Sequence, residues 1–127
     1  MNIFDFITTN LFLSNLFPQG LEGDVLLGQL SFSVKGQMAL NIHTQQKPAI
    51  ETAKWGTWGE DYNVIVLQLS GHGGRYLHME NWWHADFAPV NRIEENGIAM
   101  LTQRGDNWSI KMDLDDLILQ RCSTYLI

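Results

Sequence analysis

The sequence has a single cysteine, Cys122. A lone thiol cannot close an internal disulfide, so a disulfide framework is excluded and a reducing compartment is expected. Basic residues are scarce too: 8 Lys and Arg stand against 14 Asp and Glu, for a formal net charge of -6. Lys35, Lys47, Lys54, Arg75, Arg92, Arg104, Lys111 and Arg121 fall singly along the chain. They form no basic stripe of the kind that neutralises phosphates, which argues against nucleic acid as a partner. No apolar run is long enough to span a bilayer, so no membrane partner is expected. The N-terminal MNIFDFITTNLFLSNLF carries Asp5, lacks a positive leading region and has no small-residue cleavage site, and reads as part of the mature fold. Internal repeats and low-complexity tracts are missing as well.

What is present suits one globular domain spanning residues 1–127. Its 127 residues are 45% hydrophobic, enough for a core without metal or disulfide. Five tryptophans are many for this length; rings left exposed tend to sit in contact surfaces.

Apolar residues from Ile3 to Phe17 follow a loose helical spacing that Pro18 and Gly20 stop, predicting a short N-terminal helix. Residues 25–34 alternate, with Leu26, Leu30, Phe32 and Val34 on one face, and Lys35-Gly36 turns the chain into a second alternating run around Met38, Leu40 and Ile42. Residues 44–61 are irregular and carry Trp55, Trp58, Glu60 and Asp61. Consecutive Val64, Ile65, Val66 and Leu67 predict a central strand covered on both faces. Gly71, Gly73 and Gly74 predict a turn, Tyr76 to Trp83 a further strand, and HADFAPVN a loop. Asn96-Gly97 and Arg104-Gly105-Asp106 bracket a strand from Ile98 to Thr102, and alternation around Trp108, Ile110 and Met112 completes a second hairpin. LILQRCSTYLI reads as a last strand. The expected class is α+β, mainly β: an antiparallel sheet, sandwich or half-barrel of about seven strands with a short N-terminal helix.

Catalytic signatures are weak. His72, His78 and His84 lie near Glu80, but their spacing matches no metal motif and no metal or other cofactor is expected. Cys122 has no companion signature of a nucleophile. The pairs Glu60-Asp61, Glu94-Glu95 and Asp115-Asp116 put neighbouring carboxylates on opposite sides of an extended chain, unlike a glycosidase pair, and read as solvated charge or an acidic contact patch. Gly71-His72-Gly73-Gly74 lacks the lysine of a phosphate loop, and Arg104-Gly105-Asp106 is turn chemistry. Trp82 and Trp83, as strand neighbours, are expected on opposite faces, leaving one free to act as an anchor.

The layout of a short helical start, a hairpin, a tryptophan-bearing loop into YNVIVLQLSG and a terminal LILQRCSTYLI resembles the small β-rich immunity proteins of bacterial polymorphic toxin systems. That resemblance implies a cytoplasmic, non-catalytic protein that neutralises a cognate toxin by direct contact. An acidic surface suits a basic toxin. Trp55, Trp58, Trp82 and Trp83 are the candidate anchors, with Glu60 and Asp61 as steering groups. The alternatives are a carrier of small molecules on a barrel-like sheet, a metal-assisted enzyme using His78, Glu80 and His84, and a subunit whose edge strands pair in a homodimer.

Overall fold

A computed structural model describes residues 3–127. Met1 and Asn2, the first residues of the expected domain, lie outside them. The helical start is shorter than its apolar spacing suggests. Ile3–Phe6 form a 3-10 turn, and the helix α1 runs only over Leu11–Leu16. Asn10 caps it, its side-chain oxygen accepting the Leu13 N–H at 3.0 Å. So short a helix is held by packing rather than propensity: Leu13, Leu16 and Phe17 are buried with Ile3 and Phe6 in the main core.

Seven strands follow: β1 Val25–Phe32, β2 Gln37–Thr44, β3 Val64–Glu80, β4 Val90–Glu95, β5 Ile98–Arg104, β6 Ser109–Leu114 and β7 Ile118–Tyr125. All pairings between them are antiparallel, in the order β1-β2-β3-β6-β5-β4, with β7 also on β3. The fold class is therefore the expected mainly β architecture with a short N-terminal helix. The sheet coils until its ends meet at one bridge, where Val25 and Ala88 exchange backbone hydrogen bonds of 3.1 Å. The Gln103 side chain, fully buried, donates to both of their carbonyls, at 2.7 and 2.9 Å. A single bridge does not close a barrel, and core side chains pack the concave side.

Four local features differ from the expectation. The glycines from Gly71 to Gly74 do not turn the chain: β3 runs through them for 17 residues. They are needed for close approach. A Cβ at Gly71 would stand 2.6 Å from the Asp116 carbonyl oxygen, and one at Gly73 2.5 Å from that of Asp113. The end of β3 is Glu80, not Trp83; Asn81 takes a left-handed conformation and Trp82–His84 form a 3-10 turn. The run Val90–Glu95 is a strand, paired with β5 through Asn96-Gly97, so the expected loop HADFAPVN ends two residues early, at Pro89. The strand's alternation is masked because β4 is an edge and buries little. A bulge between Leu27 and Gln29 also shifts faces in β1, so Leu27, not Leu26, lies with Leu30 and Phe32 over Ile42, Leu40 and Met38.

β3 is the spine. From Val64 to His72 it lies between β2 and β7; from Gly73 onward it pairs with β6 alone. The change of partner is fastened by Asp113, which is fully buried in β6. Its carboxylate accepts the Tyr76 N–H at 2.8 Å and Arg75 Nε at 2.8 Å, while Arg75 Nη2 reaches Asp115 at 2.8 Å. Burial alone would push the Asp113 carboxyl up, but the Tyr76 N–H and the Arg75 guanidinium together hold it below the usual range.

Candidate functional site

The strand β3 separates the predicted contact residues. Trp55, Trp58, Glu60 and Asp61 precede its first residue, whereas Trp82 and Trp83 follow its last. The structure therefore presents two surfaces rather than one.

At the entrance to β3, the irregular segment folds over an aromatic chain. Phe12 meets Trp55 edge-on at 5.8 Å, Trp55 meets Tyr62 at 5.8 Å, and Tyr62 meets Trp58 at 5.3 Å. Trp55 is buried, so its ring serves the core rather than the surface, and Trp58 is half-buried. Asp61 is exposed but tied into the fold, since its carboxylate accepts the Thr57 N–H at 2.6 Å and closes the loop. Glu60, its neighbour in the chain, and Glu51 are exposed, and the Glu51 charge adds to burial in raising the Tyr62 hydroxyl. The same end of the molecule carries exposed apolar side chains: Phe12, which meets Trp55, its neighbour Leu11 on α1, and Ile50, which adjoins Glu51 in the chain. Ile50 is held at the same end of the molecule by the Ala49 N–H, which donates to Leu16 O at 2.8 Å. Leu11, Phe12 and Ile50 escape a sequence reading, because an apolar helix residue is assigned to the core until the partner layer is known.

At the exit of β3, the 3-10 turn does what strand alternation was expected to do. Trp82 turns inward against Trp108, with ring centroids 5.9 Å apart, while Trp83 is 86% exposed and touches His84. Tyr76, Leu77 and Met79 are exposed along the same stretch of strand. His78 Nε2 and Glu80 Oε1 lie 3.0 Å apart, and Lys111 sits 5.5 Å above the Tyr76 ring.

The remaining chemistry is distributed elsewhere. His43 Nδ1 and the Tyr125 hydroxyl are 2.8 Å apart, reaching across β3 beside Val64 and Val66, and burial lowers the His43 pKa. Burial pushes the Cys122 thiol up to about 11, so it is a neutral thiol at pH 7 and a poor nucleophile. Of the trio His78, Glu80 and His84, the first two pair with each other and His84 stacks on Trp83. Among the described residues no three His, Cys, Asp or Glu side chains are grouped to hold a metal ion. Shallow depressions of about 440 and 290 Å³ lie on the outer face of β1, β2, β3 and β7. Their walls include Ser31, Ala39, Asn41, Gln68 and Ser70. No helix among the described residues is long and apolar enough to cross a membrane. Comparison with protein-family models, with curated proteins and with solved structures finds no match to this chain.

Proposed function

We propose that this chain is a non-catalytic binding protein that neutralises a cognate basic toxin by direct contact, in the manner of an immunity protein. The observation that carries the reading is the entrance to β3, where exposed Phe12 packs on Trp55, exposed Ile50 adjoins Glu51 in the chain, and Glu60 and Asp61 are exposed on the same loop. An apolar centre with an acidic margin is how a protein surface selects a basic partner: the rings and aliphatic groups give affinity, and the charges speed and orient encounter. The net charge of -6 adds long-range attraction of the same sign. Trp58 packs edge-on against Tyr62, and Asp61 shapes the loop that presents Glu60.

The test is capture followed by rescue. Tagged chain is used to isolate a stoichiometric basic protein from the source cells, and that protein is then expressed with and without the chain. Wild type is expected to restore growth, whereas a Phe12→Asp variant carrying Glu51→Lys and Glu60→Lys does not. The same charge changes are expected to slow association and flatten its dependence on salt. A captured protein that is harmless alone, or one suppressed equally by both forms, overturns the reading.

A further inference from the structure

Among the described residues, four strand edges have no ladder partner, and three of them are blunted. On β1, Ala88 covers Val25 and a bulge follows Leu27. On β4, Pro89 precedes the strand and Arg92, Glu94 and Glu95 crowd it. On β7, an extra residue at Gln120 breaks the register beside Arg121. Bulges, proline and charge are the devices by which an edge avoids pairing with another chain. The fourth edge is the second half of β3. Its register with β6 shifts between Gly73 and Leu77 and then runs unbroken from Leu77 to Glu80, and no described strand lies on its other side. It displays Tyr76, Leu77 and Met79.

We propose that this edge pairs, antiparallel, with the same edge of a second copy of the chain about a two-fold axis at His78. The sequence of the edge is complementary to itself in that register. Leu77 of each copy then faces Met79 of the other, on the side where Met112 and Ile110 already form an apolar floor. Tyr76 faces Glu80, and the two His78 rings meet at the axis, each beside its own Glu80. No carboxylate faces a carboxylate. The register also gives the two most exposed apolar features nearby a common place. The Trp82–His84 turn comes to lie by Gly73 and Gly74 of the other copy. Gly74 is next to Phe32, and Phe32 and Val34 are 41% and 75% exposed. Trp83 can therefore cover Phe32 and Val34 across the axis, twice. With the edge residues, the apolar surface removed from water is on the order of 1,000 Å² over both copies, the lower range of a specific interface. The resulting sheet runs β4-β5-β6-β3 through the axis into the second copy, and backbone hydrogen bonds join the halves as in strand addition.

This surface lies at the exit of β3, away from the toxin-binding surface proposed at its entrance, so either can fail alone. The test is sedimentation equilibrium of the full chain from low to high micromolar concentration. Wild type is expected to dimerise. Leu77→Lys and Met79→Glu, each alone, are expected to weaken the dimer about a hundredfold, tenfold at each of two symmetry-related contacts. Mixing the two variants is expected to restore a one-to-one dimer, because a lysine then faces a glutamate at one contact and Leu77 faces Met79 at the other. Should a variant unfold, hydrogen exchange of wild type supplies the readout: the amides of Leu77 and Met79, which alternate with the Tyr76 N–H held by Asp113 and so face the free edge, become protected as concentration rises. A wild type that stays monomeric overturns the proposal. So does a dimer indifferent to both substitutions, or one whose Leu77 and Met79 amides exchange at the same rate at every concentration.

Discussion

The two halves of β3 belong to one continuous strand and live in different solvents. Val64 to Leu67 and Leu69 are buried, while every residue from Gly74 to Glu80 is exposed. Both halves contain apolar side chains and both have an antiparallel partner on the side of β6 and β7. What separates them is the second neighbour. In the first half, β2 supplies Ile42 and Leu40 beneath Leu67 and Leu69, and His43 with Tyr125 shelters Val66 and Val64 above. In the second half β2 has ended, at Gln37 opposite His72. A strand gains most of its stabilisation from side chains on adjacent strands and from the layer above, not from its own propensity. The first half is therefore a structural element and the second an available surface.

That contrast is most directly broken by truncation. Leu67→Ala is expected to cost about 3–4 kcal/mol, since a buried leucine leaves a cavity that a two-sided core cannot collapse. Leu77→Ala is expected to cost about 1 kcal/mol or less, its side chain being 38% exposed. Urea unfolding of the two variants at low protein concentration gives both values, and near-equal losses would remove the distinction between the halves.

The junction comes next. Asp113→Ala is expected to destabilise by about 2–3 kcal/mol, because the Tyr76 N–H and the Arg75 guanidinium lose a buried acceptor. Acid should reproduce part of this. The Asp113 carboxyl is held below its ordinary value of 3.8 in the fold, so it takes up its proton more readily in the unfolded chain. Its contribution is fully present above that ordinary value and is lost as pH falls through the lower, folded one. The stability gap between wild type and Asp113→Asn is therefore expected to narrow below about pH 4 in acid titrations followed by denaturant unfolding. A constant gap would mean that the clasp does not depend on the carboxylate charge.

A smaller effect is expected at the cover of the first half. Burial lowers the His43 pKa below 6.5, so the fold favours the neutral ring beside Tyr125. The unfolded chain binds the proton more readily, and stability should decline as pH falls through 6.5 toward the lower folded value. Replacing His43 by Gln should remove that part of the slope while leaving the Asp113 part, at lower pH, in place.

The same contrast explains how far the sequence could be read. Where a strand is covered on both faces or alternates over a core, as in Val64–Leu69, Met38–Ile42 and Ile110–Met112, side-chain type reports position and the elements are legible. Where burial is low, type says little: Val90–Glu95 pairs through its backbone and shows no apolar face. Gly71 and Gly73 mislead because glycine serves both turns and close contacts, and only the Asp113 and Asp116 carbonyls reveal which. Of the candidate contact residues, Trp83, Glu60 and Asp61 are at the surface, Trp58 and Trp82 are half-buried and Trp55 is buried. A tryptophan's chemistry suits core and interface equally, so its exposure is decided by neighbours distant in sequence, Phe12 and Tyr62 for Trp55, Trp108 for Trp82.

Trp83 gives the least stability effect and the sharpest use of the comparison. At 86% exposure its ring is nearly as wet as in an unfolded chain, so folding gains little from it. Trp83→Ser is expected to change unfolding free energy by no more than about 0.5 kcal/mol when measured on dilute protein. In the same variant, the edge from Leu77 to Glu80 keeps its register with β6, because that pairing lies in the backbone and in Ile110 and Met112. Any loss of self-association must then come from the ring's contact with another molecule rather than from damage to the fold. A loss of stability above about 1 kcal/mol would place Trp83 in the packing of its own chain, and the second half of β3 would have to be regarded as an extension of the core.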